Sequence, residues 1–260
     1  MDWLSALAGA LVGILVGLTG VGGGSLMSPI LILLFGVAPA TAVGTDLWFA
    51  AITKTVGGTV HHRNDGADWP IVRWLALGSL PAAVLTLVWL WSSGGHQEKS
   101  GLIVHLLGMM LVLTGLVTPF RSSIARRLSL VASDGTERHV RLQPVLTVAA
   151  GVLLGVLVTL TSVGAGALGA TMLLALYPVR LTMKKLVGTD IIHAVPLTLV
   201  GGIGHLLIGN VDLGLLGSLL VGSIPGIVAG SLLATRLPER FVRPALAVVL
   251  LAVGIKLLLS

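Results

Sequence analysis

The chain has 260 residues, of which 55% are hydrophobic and only 10% charged. Soluble domains carry roughly 25% charged residues, and a mean hydropathy of +1.03 is more apolar surface than a water-soluble globule can hide, so composition points to an integral membrane protein. The excess of 16 Lys and Arg over 10 Asp and Glu lies mostly in short links between apolar runs and forms no basic face, which excludes a nucleic-acid partner. With no cysteine, disulfides, thiolate metal sites and thiol relays are excluded too.

Cutting the chain at charges, prolines and glycine clusters leaves apolar segments at 3–19, 24–36, 41–62, 70–92, 101–119, 143–161, 166–178, 184–208, 213–234 and 241–259. The runs are continuous rather than alternating, so they read as helices and not barrel strands. A full crossing takes about 20 residues. Segments 24–36 and 166–178 are too short for that and are expected to be half-helices or arms of re-entrant hairpins. The expected fold is an all-α polytopic bundle of about 8–10 membrane segments. No basic stretch precedes the first apolar run at Met1-Asp2-Trp3, so a cleaved signal peptide is not expected.

Basic residues set the orientation. With the central stretch holding Arg121, Arg126, Arg127, Arg138 and Arg141 in the cytoplasm, Arg63, Arg73, Arg180, Lys184, Lys185, Arg236, Arg240 and Arg243 also fall inside, and Lys99 alone falls outside. Lys54 and Lys256 lie within segments. Both termini are then periplasmic. Trp69 at one end of the fourth segment and Trp89 and Trp91 at the other suit the two interfaces.

The chain repeats itself. Leu18-Thr19-Gly20-Val21-Gly22-Gly23-Gly24-Ser25-Leu26 matches Leu160-Thr161-Ser162-Val163-Gly164-Ala165-Gly166-Ala167-Leu168 at an offset of 142. After a two-residue insertion the offset is 144: Gly44-Thr45-Asp46 matches Gly188-Thr189-Asp190, Gly57-Gly58 matches Gly201-Gly202, His61 matches His205, Asp68 matches Asp212, and Gly78-Ser79-Leu80-Pro81 matches Gly222-Ser223-Ile224-Pro225. Each copy crosses an odd number of times, so the second enters from the opposite side. The expected organisation is a first inverted repeat at 1–119, a basic cytoplasmic connecting loop at 120–142 and a second inverted repeat at 143–260, an arrangement that transporters use.

Within this frame the glycine-rich breaks are the first candidates for chemistry. Gly22, Gly23, Gly24 and Ser25, and Gly164, Gly166 and Ala167 in the copy, let the backbone approach a ligand, and the helix that follows presents N–H groups to an anion. The alternative is a tight turn or close packing of small residues. Asp46 and Asp190 lie inside spans, where a charge costs about 2.5–3.5 kcal/mol on the insertion scale. They are candidates for gating or proton coupling, with His193 three residues after Asp190 on the same face. Lys54 is the one basic residue deep in a span and suits an anion or a neighbouring carboxylate. Thr45 and Thr189 offer hydroxyls beside the aspartates, although threonine in a helix commonly bonds back to a carbonyl one turn earlier. His61 and His205 end their segments and read best as helix-end caps. No HExxH, GxSxG, Walker or dinucleotide fingerprint occurs, so neither an enzyme nor a nucleotide-driven pump is expected, and no cofactor or metal.

Taken together, the glycine-rich run at 20–25 with its short following helix, Ala42-Val43-Gly44-Thr45, the stretch from His61 to Asp68-Trp69, Gly78-Ser79-Leu80-Pro81, and the second-half run from Met183 through Gly188-Thr189-Asp190 to Gly209-Asn210-Val211-Asp212 resemble the TauE/SafE sulfite-exporter family over nearly the whole chain. The resemblance implies a carrier of the bacterial inner membrane for a small sulfur-containing anion, such as sulfite or an organosulfonate. Position 46 departs from the family's common Gly-Thr-Ser by carrying aspartate. The expected mechanism is alternating access about a midplane anion site. A negative-inside potential drives a dianion outward by about 4–5 kcal/mol per 100 mV, which favours efflux. Uptake or proton-coupled transport of another anion, a cation or metal carrier, and a membrane scaffold or partner-binding module are the alternatives. A homo-oligomer in the lipid bilayer is compatible with all of them.

Overall fold

The computed structural model describes residues 3–19, 24–61, 66–92, 96–132, 137–178, 180–234 and 239–259; side chains at 19, 24–25, 57–61, 96–99, 121–132, 137–141, 183–184, 234 and 239–243 are outside the description. The described residues form α1 (Trp3–Thr19), α2 (Gly24–Leu33), α3 (Pro39–His61), α4 (Trp69–Ser92), α5 (His96–Ala132), α6 (Glu137–Thr161), α7 (Ala167–Leu176), α8 (Met183–Ile208), α9 (Leu213–Ala234) and α10 (Glu239–Leu259). Five stretches within these, Trp69–Ser92, Ser100–Phe120, Leu142–Thr161, Lys185–Ile208 and Leu213–Leu233, are long and apolar enough to cross a membrane. The protein is a multi-pass helical membrane protein. At 1.5 Å per residue, α2 and α7 are each only about 15 Å long, half the thickness of the hydrocarbon layer.

The stretch expected to be a connecting loop, 120–142, is mostly helical. α5 continues through the basic region to Ala132, and α6 begins at Glu137. Residues 121–132 hold no glycine or proline and are rich in Arg, Leu, Ser and Ala, so nothing stops the helix where hydropathy falls.

Close approach at glycine fixes which helices pair and in which direction. On α1, a Cβ at Gly9 or Gly13 would strike the backbone of Leu219 or Ser223 on α9. On α6, a Cβ at Gly151 or Gly155 would strike the backbone of Leu75 or Ser79 on α4. These are the same contacts moved along the chain, because 9 and 13 become 151 and 155 at an offset of 142, while 75 and 79 become 219 and 223 at 144. The reverse contacts match too: Gly222 meets Ala6, and Gly78 meets Val148. In both pairs the numbers rise together, so the partners run parallel. Without a side chain, two helix backbones come into direct contact and gain dispersion over their whole length.

The other pairs run the opposite way. Gly201 and Gly202 of α8 pack on Leu47 and Trp48 of α3, while Gly44 of α3 packs on His205 and Asn210. Gly108 of α5 packs on Gly254 and Leu258 of α10, and Gly115 on Ala247 and Leu251. α3 is therefore antiparallel to α8, and α5 to α10.

Buried apolar side chains fill three regions. One joins Val12 and Val16 of α1 with Met27 and Leu31 of α2 and Leu216, Leu219 and Ile227 of α9. A second joins Ile71 and Leu75 of α4 with Leu154 of α6 and Leu173, Leu174 and Tyr177 around α7. A third lies between α3 and α8, around Val43, Leu47, Ala194 and Leu197.

The seams predict a matched mutational effect. Gly13→Leu and Gly155→Leu should each lower stability by about 1–3 kcal/mol or more through overpacking. Gly217→Leu, where a Cβ meets nothing, should leave it unchanged. Thermal unfolding of the purified protein in detergent checks all three.

Candidate transport site between the two helix breaks

The second break is described in full. α6 ends at Thr161, and the next residues leave the helix in ways that side chains resist: Ser162 has φ 58° and Gly164 φ 120°. A non-glycine residue in this region is uncommon and marks a place held by its surroundings. Thr161 Oγ1 accepts from Val163 N at 3.2 Å. Gly164 O accepts from Gly166 N at 2.8 Å and from Gly169 N at 2.9 Å, and Gly166 O accepts from Ala170 N at 2.9 Å. The amides of Ala167 and Leu168 belong to the turn that opens α7. All of residues 161–170 are buried, so the break lies inside the protein, as irregular backbone at membrane depth must. Of the matching first break, Gly22 and Gly23 lie outside the described residues, and Gly24 and Ser25 are described as the backbone that opens α2.

Lys54 of α3 reaches this second break. Its Nζ donates to Ala165 O, and the side chain is 5% exposed. The ammonium interacts electrostatically with Asp190 most strongly and with Asp46 next. One cation from the first half thus interacts with carboxylates of both halves.

The two aspartates occupy corresponding places and are held differently. Asp46 Oδ2 accepts from Ser28 Oγ at 2.6 Å and from Ser28 N at 3.1 Å, tying α3 to the short helix α2. The Ser162 hydroxyl stands beside the same carboxylate, but neither it nor Asp46 Oδ1 closes a hydrogen bond of good geometry. Asp190 lies against α7, with Oδ1 3.0 Å from where a Cβ on Gly169 would be. That glycine is in the first turn of α7, the end that favours negative charge. Ser28 corresponds to Ala170 at the 142 offset, so the serine clamp of the first half has no counterpart in the second.

His193 Nε2 is 2.8 Å from Ser79 Oγ of α4, and its ring faces Lys54 electrostatically. Asp46, Lys54, Asp190 and His193 therefore interact with one another or through Ser28, Ser79 and Ser162. Ser79 and Ser162 lie in runs the repeat matches, whereas Ser28 carries no signal, because a serine within an apolar run looks the same whether it packs or binds.

The threonines hold helix starts. Thr45 Oγ1 accepts from Asp212 N at 3.1 Å, and Thr189 Oγ1 accepts from Asp68 N at 3.0 Å while donating to Lys185 O at 2.7 Å. Each threonine fastens the start of a helix from the other half, α9 or α4. Asp212 and Asp68 in turn accept from Leu215 N and Ile71 N in the first turns of those helices. His205 is a correction. Its helix continues to Ile208, and its Nε2 lies 3.0 Å from Thr159 O on α6, so the ring bridges two helices and caps neither. The His61 side chain is outside the description.

Comparison with known proteins places the chain among membrane transporters. Residues 5–257 match the family model described as sulfite exporter TauE/SafE. The chain is 38% identical over 258 residues to the probable membrane transporter protein YjnA of Bacillus subtilis, covering 97% of this chain and 98% of that one. It is 29% identical over 206 residues to the probable membrane transporter protein YdhB of the same organism, 78% of each chain. It is also 27% identical over 218 residues to the probable membrane transporter protein MJ0441 of Methanocaldococcus jannaschii, 80% of this chain and 73% of that one. No solved structure matches it. Matched over residues 5–257, with ten helices among the described residues and two of them half-length, the chain belongs to the sulfite exporter TauE/SafE family of membrane transporters.

Proposed function

We propose that the chain exports a small sulfur-containing anion, sulfite or a small organosulfonate, from the cytoplasm of a bacterium by alternating access between two inverted repeats, 1–119 and 143–260. The stretch 120–142 is then cytoplasmic and both termini are periplasmic, in the inner membrane. The family's description supplies the substrate class. The antiparallel packing of α3 on its copy α8 and of α5 on its copy α10 supports inversion. The observation that carries the site is the buried Lys54 ammonium resting on the Ala165 carbonyl. An anion at the second break would find that cation, the opening amides of α7 near Gly164, Gly166 and Ala167, and by symmetry those near Gly23, Gly24 and Ser25. Thr45 and Thr189 take part by fastening the helices beside the site.

Charge counting constrains this reading. With Asp46 and Asp190 both ionised, one lysine leaves the cluster at a net charge of −1, which repels an anion. At least one carboxyl group must therefore be protonated when the anion is bound, so a proton and an anion occupy the centre together, and Asp46, Asp190 and His193 are the groups that manage the exchange. A dianion leaving with one proton still moves one negative charge outward, driven by about 2.3 kcal/mol per 100 mV. The same count is the one support for a cation carrier. Among the described residues no three His, Cys, Asp or Glu side chains converge as a metal site.

Two outcomes are expected in proteoliposomes. Sulfite flux should fall at least about tenfold in Lys54→Ala, through loss of a charge-assisted contact, and in Gly166→Leu, through a side chain that crowds the buried break; undiminished flux in both removes the site. Isethionate, whose own charge does not change with pH, should be carried less well as pH rises, because the shared proton becomes scarcer. Stabilisation by sodium or a divalent metal instead of by anions, read as a thermal shift, would favour the cation reading. In a stability cycle, Lys54→Met should cost about 3–5 kcal/mol by leaving buried charge unpaired, and Asp190→Asn on the same chain should recover part of that loss.

A further inference from the structure

The two breaks match in sequence, but the short helices that follow them are not equally held. The far end of α7 is tied down by polar side chains from other elements. Tyr177 is 3% exposed, and its hydroxyl is 2.7 Å from Thr147 Oγ1 on α6. Gln143 Nε2, also on α6, donates to Leu176 O at 3.0 Å. Arg180 makes a two-pronged pair with Asp68 ahead of α4, Nε to Oδ2 at 2.7 Å and a terminal nitrogen to Oδ1 at 2.8 Å, and its guanidinium lies 5.8 Å from the centre of the Tyr177 ring. Bidentate pairing of this kind fixes geometry as well as adding energy.

The corresponding positions of the first half lack these groups. At the 142 offset Tyr177 becomes Phe35, which has no hydroxyl, and Gln143 becomes Met1. Val37 corresponds to Val179, so Arg180 falls in the two-residue insertion and has no counterpart at all. Asp212, the counterpart of Asp68, caps Leu215 N but meets no arginine from the stretch after α2. The Leu34 side chain there is 72% exposed. α2 is held instead from within, by the two hydrogen bonds from Ser28 to Asp46. It also carries Pro29, which removes one helix hydrogen bond, where α7 has Thr171 bonded to Ala167 O at 2.7 Å.

We propose that the two short helices divide the work: α7 is a fixed wall, and α2 is the moving gate, with Asp46–Ser28 as the catch that holds it shut. α2 is released when the Asp46 carboxylate gives up Ser28, and α7 keeps its place while Arg180 holds Asp68. The inference deepens the carrier reading by assigning motion to one break, and its ligand-free arm does not depend on the substrate being an anion.

The chain has no cysteine, so single thiols can be read without background. Leu31 and Leu173 are counterparts at the 142 offset and are 0% and 1% exposed. Leu31→Cys and Leu173→Cys proteins, reconstituted into liposomes, are treated with a small maleimide, with and without sulfite. Without sulfite, the thiol at 31 should react at least about fivefold faster than that at 173, as expected when fewer tertiary ties oppose local opening. Asp46→Asn should raise the rate at 31 and leave 173 unchanged, while Arg180→Gln should raise the rate at 173 and leave 31 unchanged. Hydrogen exchange of the unmodified protein gives the same comparison without substitution, with residues 26–33 exchanging faster than 168–175. Equal rates at the two positions, faster reaction at 173, or crossed effects of the two substitutions would overturn the proposal. Unequal rates that sulfite does not alter would leave the gate standing and count against the anion.

Discussion

The structure depends on one buried ammonium. Lys54 is 5% exposed, donates to the Ala165 carbonyl and interacts electrostatically with Asp190 and Asp46. Those partners come from α3, α8 and the α6–α7 break, so its neutralisation requires both halves to close on one point. A charge with no partner at this depth would cost several kcal/mol. The fold removes that cost by bringing the interrupted helix of one half against a span of the other.

The frame around this point is duplicated, and the charges on it are not. The glycine seams repeat contact for contact between α1–α9 and α6–α4, and Thr45 and Thr189 make the same bond to Asp212 and Asp68. Lys54 corresponds to Thr198, Ser28 to Ala170, His193 to Phe49, and Arg180 to nothing. The packing frame is thus repeated between the halves, and the ionisable and hydroxyl groups set on it are not. Backbone contact demands glycine at fixed spacing in both copies, whereas a single charged site needs its lysine only once.

Much of this was legible in the sequence, because the membrane imposes simple rules. Eight of the helices run long enough to be bounded by hydropathy, and α1, α8 and α9 begin and end within a residue of the expected limits. The short lengths of α2 and α7 followed from the glycines before them. Hydropathy failed at 121–132, where the polar character of the stretch said loop and its helix propensity won. The buried cluster was half legible: Asp46, Asp190, Lys54 and His193 stand out as ionisable groups in apolar runs, but the partner of each depends on packing between halves more than 100 residues apart. His205 showed the same limit. A histidine near a helix end suggests a cap, and only the approach of α6 makes it a bridge to Thr159 O.

That cross-packing also restricts how the protein can move. α1 lies backbone to backbone along α9, and α4 along α6, over several turns, so neither pair can slide or part without opening voids along the seam. Each pair joins one helix from either half of the sequence. The two halves as written in the chain are therefore interlocked. Around these pairs lie two mixed groups, α1, α2, α3 and α9 on one side and α4, α6, α7 and α8 on the other, joined where α3 packs against α8, with α5 and α10 packed on each other beside them. Lys54 sits in the first group and its acceptor Ala165 beside the second, so this buried hydrogen bond spans the boundary between them. Any rearrangement at that boundary would leave the buried lysine needing another partner, the place the proposed anion would fill.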